Sequence, residues 1–234
     1  MIFLVTWTLL GTGLSAAGAN PTPPAGMVFV PAGSFIFGSD VGDTDEGPQQ
    51  KASTKPFFID VYEVSNTAFQ KFDPGHRFRE GRQDFPAEVT WQKANAYAKW
   101  AGKRLPTETE WEKAARGTDG RVYPWGNSFD YTFTNWDESY LPGASVARPL
   151  SPYGCVDMAG GVWEWTADWY QPYPGNKTPC AAYGTKNKVM RGGAAFNGRA
   201  LMRTTQRYYL PPDKMGGYHV GFRCVQDVKQ EVKP

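Results

Sequence analysis

The sequence predicts a single α+β domain with little regular secondary structure, and three observations predict it. The 234-residue chain holds 26 Gly and 19 Pro without any internal repeat, so a large share of the backbone must turn. It also holds 9 Trp, and each buried indole removes a large apolar area from water, so the irregular chain is still well packed. Helical patterning is confined to the middle of the chain, with short aromatic and β-branched runs on either side and no linker that divides residues 26 to 228.

Met27 to Gly38 (MVFVPAGSFIFG) reads as two short strands joined at Pro31-Ala32-Gly33, a β-hairpin signal. Asp40 to Gln50 is polar and acidic and reads as a loop. Lys55 to Val64 (KPFFIDVYEV) is aromatic and β-branched, hence a strand, after which Ser65 caps a short helix over Asn66 to Phe72. Asp73 to Phe85 is charged and irregular. Thr90 then caps a helix over Trp91 to Ala101 that ends at Gly102. Thr107 and Glu110 form a capping-box pair for a helix running to about Arg116 and closed by Gly117. Trp91, Ala94, Tyr97 and Ala98 share one face, as do Trp111, Ala114 and Ala115, which core packing explains. Beyond Gly117 turn-rich stretches alternate with short aromatic runs, the pattern of short strands in extended loops.

Residues 1–19 stand apart. Ile2 to Ala19 carries no charge and precedes the breaker Asn20-Pro-Thr-Pro-Pro24, so it reads as a signal peptide cut after Ala17-Gly18-Ala19 or as an N-terminal anchor. A helix of roughly 18 residues reaches about 27 Å, enough for a bilayer core. The expectation is an exported domain on the periplasmic or extracellular side, with membrane contact through residues 2–19 if they are retained, a linker over 20–25 and a short tail over 229–234. A net charge of +2 gives no reason to expect nucleic acid as a partner. Only Cys155, Cys180 and Cys224, His76 and His219 are available to a soft metal, and no CxxC is present. In an oxidising compartment one disulfide can form and one thiol is left over, and the sequence does not choose the pair. The candidate pair is Cys155 with Cys180. Asn176-Lys-Thr178 matches a glycosylation sequon.

The pieces MVFVPAGSFIFGS, FFIDVYEVSNTAFQKF, VTWQKANAYAKWAGKRLPTETEWEKAARG, YPWGN, YGCVDMAGGVWEW, VMRGG and GFRC follow one another as in the formylglycine-generating enzyme, or sulfatase-modifying factor, family. The chain resembles that family from Gly26 to Val225. The resemblance implies a C-type-lectin-like fold. In the family's oxidases two cysteines a few residues after the Gly-Gly pair hold copper, and soft copper(I) needs those thiolates. Here Asn197 stands at the first position, the second falls near Ala200 or Leu201, and Ala194 replaces a common serine. Copper chemistry of that kind is therefore not expected. Cys224 matches a structural position whose usual pairing partner would lie near Ala98.

The resemblance also implies calcium, held by the side chains of Asp157 and Glu164 and the carbonyls of Gly160 and Val162, which are the hard oxygens this ion takes. An asparagine is usual where Gly161 stands. A second calcium would use Asn135 and the Trp136 carbonyl. Arg191, Asn197, Arg203, Arg207 and Tyr208 are candidate ligand-binding residues, because guanidinium groups grip carboxylates at two points. The competing reading makes those arginines internal ties for irregular loops. The functional expectation is a binding or structural subunit of a membrane-associated complex, with a protein partner and calcium but no formylglycine-generating activity. The alternative is a periplasmic maturation oxidase acting on a peptide or peptide-derived substrate.

Overall fold

The computed structural model describes residues 20–134, 150–194, 196–215, 217 and 219–229. The apolar run over 1–19 and the second calcium pair, Asn135 and Trp136, lie outside the described residues. Among the described residues nine strands and three α-helices follow in order: β1 (Met27–Val30), β2 (Gly33–Phe37), β3 (Gln50–Thr54), β4 (Phe57–Asp60), α1 (Asn66–Phe72), α2 (Trp91–Trp100), α3 (Glu108–Arg116), β5 (Trp163–Trp169), β6 (Lys188–Arg191), β7 (Tyr208–Leu210), β8 (Val220–Gly221) and β9 (Val225–Asp227). They form three small sheets in the orders β1-β4-β9, β2-β3 and β7-β6-β5-β8. All pairings are antiparallel except β5 with β8. β4 lies between β1 and β9, so the two ends of the domain close on one sheet.

The helix starts follow from their caps. Ser65 accepts from the Ala68 amide, Thr90 from Lys93 and Thr107 from Glu110, and Glu110 returns a bond to the Thr107 amide to complete the capping box. The expected hairpin over Met27 to Gly38 does not form. β1 pairs with β4 and β2 with β3, so the two strands enter different sheets. The reason is where their apolar side chains go: Val30 packs with Phe57 and Ile59, whereas Phe35 and Phe37 pack with Tyr173. The acidic loop after β2 contains one 3-10 turn, Thr44–Glu46, with Glu46 buried.

Helix α3 organises the centre. Trp111, Ala114 and Ala115 pack on Val30, Phe57, Ile59 and Met158. The adjoining stripe, Glu108, Glu112 and Arg116, is buried as well. A second and larger core joins Phe69 of α1, Ala94, Tyr97 and Ala98 of α2, and Trp163, Trp165 and Phe222. Among the described residues no helix is long and apolar enough to cross a membrane.

Candidate functional site

β6 ends at Arg191 and delivers the chain into Gly192-Gly193, and both glycines are required there. Gly192 has φ +96° and Gly193 φ +71°, in the left-handed region. A Cβ on Gly192 would sit 3.2 Å from Trp111 Cζ2, and one on Gly193 would sit 2.5 Å from the Leu201 carbonyl oxygen. The loop beyond is closed on itself. The Ala194 amide donates to Asn197 Oδ1 at 2.6 Å, and the Asn197 amide donates to the Ala194 carbonyl at 2.8 Å. Asn197 thus shapes its own turn through Oδ1. Ala200 is exposed, Leu201 half-buried and Met202 buried.

No thiol replaces the missing pair. Cys155 and Cys180 do not form the expected disulfide, and all three cysteines are free. Cys155 is buried beside Trp111 and Met158, and burial pushes its thiol up to about 11. Cys224 is buried in the core cluster that also contains Ala98, and burial, with Asp60 beside it, raises its thiol well above the usual range. None of the three cysteines belongs to the Gly-Gly loop, where Ala194, Asn197, Ala200 and Leu201 offer no thiolate, so the residues of that loop do not fit copper(I).

The arginines expected to line a groove are largely internal. Arg191 is fully buried. Its Nη1 donates to Glu108 Oε1 at 2.6 Å and to the Tyr173 hydroxyl at 3.1 Å, and its Nη2 donates to Glu112 Oε2 at 2.6 Å and the Thr204 carbonyl at 2.5 Å. Arg207 Nε reaches the same Glu108 Oε1 at 2.7 Å, with further bonds to the carbonyls of Asp45 and Gln171. Arg116 pairs with Glu112 at 2.9 Å. Burial pushes the Glu108 carboxyl up, but Arg207 and Arg191 outweigh it and hold Glu108 below its ordinary value. Arg203 is spent on Glu46 and on Gln206 Oε1. Tyr208 leans on Trp163, ring centres 5.4 Å apart, and stacks with Tyr209. These side chains bind the C-terminal loops to α3 and to the 3-10 turn. Asn176 of the sequon is similarly engaged, its Nδ2 donating to the carbonyls of Thr44 and Gly47.

The Asp157–Glu164 turn fits a hard cation in part. Asp157 is buried with φ +56°, and neither the Gly160 nor the Val162 carbonyl is used by a backbone hydrogen bond among the described residues outside the strand ladders. Glu164 is the member that departs from the expectation. Arg223 grips it at two points, Nε to Oε2 at 2.7 Å and Nη2 to Oε1 at 2.8 Å, and Trp111 Nε1 donates to Oε2 at 2.8 Å. Glu63, which the sequence did not flag, supplies the open oxygen instead. Its Oε1 is buried without a hydrogen-bond partner, against Gly161, where it fills the space a Cβ would need. Burial first and Asp157 second raise the Glu63 carboxyl well above its ordinary value. Among the described residues no three His, Cys, Asp or Glu side chains are grouped to hold a metal by themselves, so a cation here depends on the carbonyls.

On the outer side of this turn a cleft of about 440 Å³ opens between the segment from His76 to Glu88, the turn residues Gly161 and Val162, and the side chains of Phe196 and His219. Phe196 is 55% exposed and lies 5.2 Å from the His219 ring. His219 Nδ1 and Glu88 Oε1 are 3.0 Å apart. Asn66 Nδ2 donates to the Arg82 carbonyl, leaving Asn66 Oδ1 to accept from His76 Nε2 at 2.7 Å. These bonds tie lining residues of the cleft to one another.

The fold and site define a loop-rich, lectin-like α+β domain built around a Gly-Gly strand end. Residues 14–228 match the family model described as sulfatase-modifying factor enzyme 1-like domain, and the chain belongs to that family. It is 31% identical to the inactive C-alpha-formylglycine-generating enzyme 2 of Mus musculus, covering 94% of this chain and 91% of that protein. It is 29% identical to the formylglycine-generating enzyme of Bos taurus, covering 91% of this chain and 78% of that protein. Among solved structures it resembles PvdO from Pseudomonas aeruginosa, with a TM-score of 0.69 and 25% identity over 86% of this chain and 94% of that one. Similarity thus extends to relatives named as active and as inactive, and the loop after Gly193 has to decide between them.

Proposed function

We propose that this domain binds a partner and does not generate formylglycine. One observation carries the reading: the Gly-Gly loop keeps its frame, but its thiol positions hold Asn197 and an Ala200-Leu201 pair, and Asn197 is committed to its own turn. The test is turnover. The purified domain, supplied with copper(I), oxygen and a cysteine-containing peptide, should consume no oxygen beyond the free-metal background. Sustained consumption with conversion of the cysteine would overturn the reading.

Calcium is the structural ion in this proposal. Asp157, the Gly160 and Val162 carbonyls and the open Glu63 oxygen would hold it, and Glu164 would position the turn through Arg223. Bound there, the ion would neutralise a buried carboxylate and stiffen the wall of the cleft. Export is proposed from the uncharged run Ile2 to Ala19, with attachment to a membrane complex if that run is retained. Mass spectrometry of the mature protein tests retention: a chain starting at Asn20 would remove the anchor.

A further inference from the structure

The cleft beside Phe196 has a charge pattern unlike that of the buried arginines among the described residues. Elsewhere the buried arginines are all matched: Arg116, Arg191, Arg207 and Arg223 each contact a glutamate. Arg77, Arg79 and Arg82 line the cleft, and none of them has a carboxylate partner among the described residues. Arg77 Nη1 donates to the Pro74 carbonyl, and Arg82 Cζ lies over Phe85, 4.0 Å from the ring centre. That stacking orients a guanidinium while leaving its N–H edge open. Glu88 is the one carboxylate in the lining, and it faces His219. Glu80 and Asp84 belong to the same segment and are exposed outside the lining.

Apolar surface alternates with these charges. Phe78, Phe85, Pro86, Val162 and Phe196 all line the cleft. The volume is that of a small-ligand pocket. Arg77, Arg79, Glu88 and Phe196 of the lining are exposed, so the cleft is open to solvent and a chain can lie in it without being enclosed.

We propose that this cleft takes an acidic peptide segment carrying an aromatic or other large apolar side chain. Carboxylates pair with Arg79 and Arg82 while the apolar group packs against Phe196 and Phe85. The proposal deepens the binding reading above and rests on it. It assigns the recognition to the 76–88 segment, whereas the arginines after β6 serve the fold.

The test uses fluorescence anisotropy at low salt with a labelled octapeptide of alternating glutamate and phenylalanine, and a matched peptide with lysine in place of glutamate. The glutamate peptide should bind saturably. Arg79→Ala with Arg82→Ala should weaken it at least tenfold and Phe196→Ala at least threefold. Arg79→Glu with Arg82→Glu should shift preference to the lysine peptide. Arg79 and Phe196 are exposed and Arg82 is half-buried, and unchanged melting temperatures will show that the variants are folded. Equal binding by the alanine variant, equal binding of both peptides, or no saturable binding would overturn the proposal. Displacement by inorganic phosphate as readily as by unlabelled peptide would also overturn it, by assigning the site to a phosphoryl group. A domain that fails these tests yet shows no copper turnover refutes the cleft assignment alone. Copper turnover refutes the binding reading whatever the peptide does.

Discussion

Replacing Arg191 by Met separates the arginines that hold the fold from those that face a ligand. Methionine fits the space of the aliphatic stem but removes the guanidinium shared by Glu108, Glu112, Tyr173 and the Thr204 carbonyl. Breaking a buried ion pair by deleting one partner costs about 3–5 kcal/mol, because the other charge stays behind. Glu108 keeps Arg207 and Glu112 keeps Arg116, which places the loss at the lower end, about 3 kcal/mol. For a chain of this length each kcal/mol moves the melting temperature by roughly 2–4 °C, so the drop should be roughly 6–12 °C. Arg79→Ala, in the same assay, should move it by no more than about 2 °C, since an exposed unpaired residue contributes within about 0.5 kcal/mol. Circular dichroism melts of both variants decide the matter. A loss below about 1 kcal/mol for Arg191→Met, or a loss for Arg79→Ala equal to it, would refute the division.

Three further outcomes follow from the geometry. A calcium chelator should lower the melting temperature of the wild type, and Asp157→Ala should abolish that sensitivity; a chelator without effect would remove calcium from the account. Glu108 has a folded pKa below its ordinary value of 4.5, so its contribution is present above pH 4.5 and disappears as pH falls through the folded value. Melting temperature should therefore fall on acidification below about pH 4.5, with a shallower fall in Glu108→Gln; parallel acid limbs would contradict the pairing. Thiol titration should count three reactive cysteines in denaturant and only the half-buried Cys180 in the native protein, whereas a count of one in denaturant would reveal a disulfide.

Local chemistry was legible from the sequence. Ser65, Thr90 and the Thr107–Glu110 pair announce their helices because a cap acts within three residues. The Gly-Gly turn was legible for the same reason, and the missing thiols through the family resemblance. Long-range burial was not. The polar stripe Glu108, Glu112 and Arg116 looks solvent-facing on a helix considered alone, and only the fold brings Arg191 and Arg207 onto it, 83 and 99 residues beyond Glu108. The apparent hairpin over Met27 to Gly38 failed because turn signals do not reveal which core each strand will enter. Glu63 and the cleft escaped notice because their neighbours come from separate segments. Arg77, Arg79 and Arg82 sit in a stretch that reads only as charged and irregular, and their lack of carboxylate partners becomes visible once the other arginines have been placed.

The central claim is that the Gly-Gly loop has kept its shape without the groups that hold copper. Metal analysis of the purified domain, after loading with copper(I) and dialysis against a competing chelator, tests it most directly. The account predicts far less than one copper per chain. One tightly held copper per chain would contradict it.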